Sequence, residues 1–190
     1  MAKNLTRGQA ATMLTALGWR TNTATRLTQA IKDFQGIWNL GAALSVDGLV
    51  GPKTSDALRL SYARHKAGKP DISANFRARE FQCKCFGKYV GCRRIWTPRK
   101  VVQLAERIRK VVGPWTPIGA GRCSGHNAAV GGATRSQHLT ALALDVSRLE
   151  SLGISEAREL GATGIGYGGV SKTVQHVDFG PTRSWVYSSS

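Results

Sequence analysis

Two histidines and an acid stand out in this chain of 190 residues. His138 and Asp145 lie seven positions apart, and Asp145 sits in the apolar run Ala141, Leu142, Ala143, Leu144, Val146. A carboxylate in such a run is costly to bury unless a cation or hydrogen-bond donors meet it. Further on, Gln175-His176-Val177-Asp178-Phe179 alternates polar and apolar residues. In a strand that alternation points His176 and Asp178 to one face. His138, Asp145 and His176 supply two imidazoles and one carboxylate. That is a three-ligand set for a catalytic zinc, with a fourth coordination position left open.

The elements that must position these residues are short. Ala10, Met13, Leu14 and Leu17 recur at helical spacing and Gly18 follows as a stop. Leu27, Ala30, Ile31, Phe34, Ile37 and Trp38 repeat the period, and a short helix follows through Ala57, Leu58 and Leu60. Three short helices around one apolar centre predict a small bundle over residues 1–65. His65-Lys66-Ala67-Gly68-Lys69-Pro70 is basic and broken by Gly and Pro, so residues 66–73 read as a linker. Beyond it, Thr97 as N-cap and Pro98 at the first helical position open a helix with Val101, Leu104, Ala105, Ile108 and Val111 on one stripe. Strands are expected near Ala143–Val146 and Val174–Phe179, with a glycine-rich turn at Gly164–Gly169. The fold class is α+β: an N-terminal three-helix bundle, then an α+β domain over 74–190 with a small antiparallel sheet.

Lys and Arg total 27 against 11 Asp and Glu, a formal charge of +16. Before Lys69 there are 9 basic and 3 acidic residues, and from it onward 18 and 8. Both parts are basic, so no single tail carries the charge. Such a balance favours a polyanionic partner, an anionic cell wall among them. A nucleic-acid binder is the less favoured reading, because charge alone leaves the His/Asp pattern unexplained. The start of the chain lacks the apolar core of a secretory leader, and no apolar span is long enough for membrane insertion. Synthesis and first residence in a cytoplasm are expected. Cys83, Cys85, Cys92 and Cys123 form C-x-C-x6-C plus a distant fourth. That leaves a structural metal site, a disulfide or reduced, partly buried thiols open, since the spacing is not a common finger pattern.

Two resemblances add to this. Phe34-Gln35, Val46-Asp47-Gly48, Gly51-Pro52-Lys53-Thr54 and Ala57-Leu58 resemble the type 1 peptidoglycan-binding domain, a three-helix module. The same residues can equally be turn formers. Ser136-x-His138, Asp145 and His176-x-Asp178, preceded by Gly121-Arg122-Cys123-Ser124-Gly125-His126-Asn127, resemble the zinc D-Ala-D-Ala carboxypeptidase and L-alanyl-D-glutamate endopeptidase family, of the hedgehog-type zinc fold. That resemblance implies Zn2+ on His138, Asp145 and His176. It implies for Arg122 contact with substrate or with the developing oxyanion, the other reading being a pair with a carboxylate of the fold. Ser136 is expected to support a ligand and His126 to line the cleft or cap the surface. Many relatives have Gly in place of Ala141, and several place the general base where Thr173 stands. Asp178 is then either the base or the group that orients His176.

The expected function is hydrolysis of an amide bond in the peptide part of bacterial peptidoglycan, by an endopeptidase more than a carboxypeptidase. A wall hydrolase with no leader resembles a bacteriophage endolysin: a monomer held in the host cytoplasm until a separate pore-forming protein releases it to the wall. The alternative is a non-catalytic wall-binding or virion structural protein whose zinc is structural.

Overall fold

The computed structural model describes residues 3–89, 92, 94–146, 152–169 and 172–187. Among them are six α-helices, one 3-10 turn and a four-stranded sheet. Helix α1 (Arg7–Leu17) starts at a capping box between Thr6 and Gln9 and stops at Gly18, whose φ of 115° ends the helix left-handed. It packs on α2 (Ala24–Ile37) and α3 (Pro52–Lys66), with Leu14, Leu17, Ile31, Phe34 and Leu58 fully buried between them. Pro52 occupies the first turn of α3. The loop ahead of it is tied by Gln35, whose amide donates to Asp47 Oδ1 (2.8 Å), Leu49 O (3.0 Å) and Thr54 Oγ1 (3.1 Å). Gly48 donates its N–H back to Gln35 Oε1 and holds a φ of 80°. Gln35, Asp47, Gly48 and Thr54 thus shape this turn.

The helical part and the residues beyond it share one core, running from Leu5 and Phe34 through Phe76 and Ile108 to Val177. The end of the stretch read as a linker is folded in: Asp71, Ile72 and Ser73 are buried, and Asp71 accepts the N–H of Ala78 at 2.7 Å. Two further ties cross the same boundary. The Arg94 guanidinium grips both oxygens of Asp33 at 3.0 and 3.1 Å, and the Trp19 indole donates to Ile95 O. Helix α4 (Arg99–Val112) is capped by Pro98, one residue later than expected, because Thr97 is buried rather than turned to the helix amides. Short helices α5 (Ser124–Ala129) and α6 (Ile154–Glu159) flank the sheet in sequence.

The sheet runs β1 (Ala143–Asp145), β3 (Val174–Asp178), β2 (Gly164–Gly168), β4 (Arg183–Tyr187). It is mixed, not antiparallel. The chain reverses after β3 within residues 179–182, and one edge of β3 already holds β1. So β4 passes Thr163, pairs with the outer edge of β2 and runs parallel to it. The expected turn at Gly164–Gly169 is strand β2, and its glycines answer to neighbours rather than to a turn. A Cβ on Gly164 would lie 2.2 Å from Asp178 Oδ1, and one on Gly166 would lie 2.6 Å from the Tyr187 ring. Such glycines mark close approach by a neighbour. No helix among the described residues is long and apolar enough to cross a membrane.

Candidate metal centre

The β1–β3 ladder places Asp145 opposite His176 and Ala143 opposite Asp178. His138 arrives from the turn before β1, where its N–H meets Ser136 Oγ at 3.3 Å. Ala141, in that turn, adopts a φ of 57°, a left-handed backbone that glycine takes without strain. His138 Nε2, His176 Nδ1 and Asp145 Oδ1 form a triangle with sides of 3.0, 3.0 and 3.2 Å. His138 and His176 are both buried.

The outer ring atoms decide what that triangle is for. His138 Nδ1 lies 2.5 Å from Ala120 O, a pure acceptor, so Nδ1 carries the proton. His176 Nε2 lies 3.1 Å from Asp178 Oδ2, so it donates there. The inner nitrogens of the neutral rings then aim lone pairs at the point the carboxylate oxygen faces. Three electron-rich atoms share one spot, with edges close to the ~3.4 Å of a tetrahedral ion bound at ~2.0–2.1 Å. The set fits zinc. Burial opposes charge on His176, yet Asp145 and Asp178 on either side raise its pKa. Burial likewise works against ionised Asp145, but His138, His176 and Arg122 hold it far below the usual carboxylate range.

Asp178 is fully buried and saturated. Its Oδ2 accepts from His176 Nε2 and from Arg183 Nη2 (2.6 Å), and its Oδ1 from the Gly180 amide (2.7 Å) and Arg183 Nη1 (3.2 Å). Burial pushes its pKa up, and those donors more than reverse it. Gly164 must stay small beneath this carboxylate. Gly164→Ala is expected to cost about 1–3 kcal/mol by overpacking, read as a lower Tm together with weaker zinc retention.

Arg122 pairs with Asp145 Oδ2 and donates its N–H to His138 O at 2.8 Å, so its guanidinium stands beside the triangle. A cleft of about 1010 Å³ opens at the three candidate ligands and is lined also by Ser136, Trp185 and Tyr187. His126 does not line it. The short α5 turns its ring toward Cys83, 3.5 Å from Sγ, and it borders a separate recess of about 200 Å³ with Arg122 and Asp145. Thr173 does not line the cleft either, and among the described residues the only acids there are Asp145 and Asp178. Glu150 lies outside the described residues.

Sequence reasoning missed β4 altogether. Arg183 clamps Asp178, its guanidinium lies 4.8 Å from the Trp185 ring, and Trp185 stands 5.1 Å from His176. The alternation of Arg183, Trp185 and Tyr187 just after Gly180-Pro181 was the available signal.

Two imidazoles and a carboxylate on a mixed sheet beside an open cleft define a metallopeptidase-type centre. Residues 74–178, more than half of the chain, match the Peptidase M15 model, and the chain belongs to that family. M15 peptidases are zinc-dependent metallopeptidases. The match takes in the three ligands and Asp178 and leaves out α1–α3 and β4. No curated protein matches the chain.

Proposed function

We propose that this protein is a peptidoglycan hydrolase that cuts an amide bond in the wall peptide, with His138, Asp145 and His176 as zinc ligands. The observation that carries the reading is the lone-pair triangle lining a cleft of about 1010 Å³. Bound zinc supplies a Lewis acid that polarises the scissile carbonyl and brings the pKa of a coordinated water toward ~7. Arg122, beside the triangle, meets the carbonyl oxygen as negative charge develops on it. Asp178 holds the His176 ring and its tautomer, and Ser136 braces the His138 backbone. Trp185 and Tyr187 give the peptide an apolar wall. A cleft of about 1010 Å³ has room for a substrate that continues past the cut, and we take the enzyme as an endopeptidase.

Arg135 lines the cleft, exposed and with no ion pair among the described residues. It is placed for a wall-peptide carboxylate. Arg135→Ala is expected to raise KM about 5- to 10-fold, the worth of one exposed charged contact of about 1 kcal/mol, with kcat unchanged in steady-state assays on soluble muropeptides.

The +16 charge supports adsorption to an anionic wall, and the α1–α3 part, with exposed Val46 and Leu49 beside the Asp47-Gly48 turn, supports attachment to it. We place the protein as an endolysin, a monomer made in the host cytoplasm and released to the wall by a separate pore-forming protein. A second reading, a wall binder that does not turn over, rests on one observation: neither acid lining the cleft is free of a partner. Loss of turbidity in a suspension of purified walls separates the two. The hydrolase clears it, and His138→Ala abolishes clearing while the protein still sediments with the walls. A wild-type protein that sediments without clearing is a binder.

A further inference from the structure

Cys83, Cys85, Cys92 and Cys123 come from separated parts of the chain, yet their sulfurs all lie within 4.8 Å of one another. Cys83 and Cys85 follow the 3-10 turn at Ala78–Phe81 and are buried, while Cys123 is the N-cap residue of α5. Cys83 Sγ and Cys85 Sγ each stand 3.9 Å from Cys123 Sγ. A disulfide would bring two sulfurs to about 2.05 Å. A tetrahedral zinc with Zn–S bonds of about 2.3 Å spaces them about 3.8 Å apart along every edge. The two 3.9 Å separations match that edge, and the whole set stays within 4.8 Å.

Backbone amides also converge on the cluster. The Cys123 amide points at Cys83 Sγ from 3.5 Å, and the amides of Gly87 and Tyr89 serve Cys85 as that of Arg94 serves Cys92. Such donors would strengthen on sulfurs that carry the negative charge of metal-bound thiolates. Phe86 and Gly87 turn left-handed between Cys85 and the rest, with φ of 48° and 97°, which brings the chain round the cluster.

We propose that these four cysteines hold a second zinc ion, structural and separate from the His138–Asp145–His176 centre. It fastens Cys83, Cys85 and Cys92 to the start of α5. Arg122 is the residue just before one ligand, and its own amide is bonded to His138 O. The ion therefore fixes the wall of the cleft from which Arg122 reaches Asp145.

Native mass spectrometry with elemental analysis of the full chain tests this without a cysteine variant. The expected result is two zinc ions per chain and four thiols that resist alkylation until a chelator is added. Asp145→Ala should drop the count to one and leave the thiols protected, and its cobalt-substituted form should keep the near-ultraviolet thiolate charge-transfer absorption. Loss of wall clearing in that variant speaks only to the hydrolase reading. A single zinc that Asp145→Ala removes, a disulfide among the four cysteines, or iron in place of zinc would overturn the proposal.

Discussion

Asp145→Ala is expected to remove hydrolysis altogether, by at least about three orders of magnitude in the initial rate of wall clearing. Asp145 Oδ1 stands 3.0 Å from each inner imidazole nitrogen, and Oδ2 carries the Arg122 pair. Taking the carboxylate away deletes one ligand and leaves two lone pairs to hold a divalent ion without its only anionic partner. Arg122 is released at the same time, so oxyanion stabilisation goes with the metal. Both losses fall on the transition state rather than on substrate adsorption. Zinc content is the independent measure. It should fall by one equivalent per chain, and sedimentation with walls should be unchanged. Wild-type zinc content in an inactive Asp145→Ala protein would mean that the acid acts without holding metal.

Asp178→Asn has the next largest effect and separates an orienting group from a base. The carboxylate accepts four hydrogen bonds and is buried away from solvent. Such a group gives up no acceptor to water, and its donors keep its pKa low, which makes it a weak base. Its evident task is to fix the Nε2 proton of His176, so that Nδ1 offers a lone pair inward. Asparagine keeps one acceptor oxygen, so Arg183 loses one of its two bonds together with either His176 or the Gly180 amide. Disturbing such an outer partner typically costs 10–100-fold in metal affinity or activity. We expect about 10–100-fold lower activity at limiting zinc, substantial rescue by excess zinc, and an acid limb of the kcat pH profile that stays in place. A general base would behave otherwise. Its loss would leave zinc affinity intact and erase that limb.

The parts legible in the sequence were those in which local pattern and tertiary packing agree. Leu14, Leu17, Ile31 and Phe34 announce α1 and α2 by their spacing, and the same residues are fully buried. The alternation around His176 marks β3, and the apolar run before Asp145 marks β1. Their antiparallel register then brings residues distant in sequence to adjacent positions. What stayed hidden was set by neighbours. Gly164 and Gly166 have poor strand propensity and sit in β2 because Asp178 and the Trp185–Tyr187 pair leave no room for a Cβ. The parallel pairing of β4 follows from which sheet edge remained free, a fact no window of sequence contains. The linker reading failed at Asp71 and Ile72, whose burial depends on Ala78 and on the shared core. Thr97 resembles a cap in sequence, and burial took it out of that role. The four cysteines defied their spacing altogether, since the fold and not the motif brings Cys123 to the other three.

The most direct measurement is mass analysis of fragments released from purified walls by the zinc-loaded protein. The expected fragments carry a new amino terminus and a new carboxyl terminus at one peptide bond, with the sugar chain intact, and none appear with His138→Ala. Walls left whole by the zinc-loaded protein, or cut at the same bond by His138→Ala, would contradict the account.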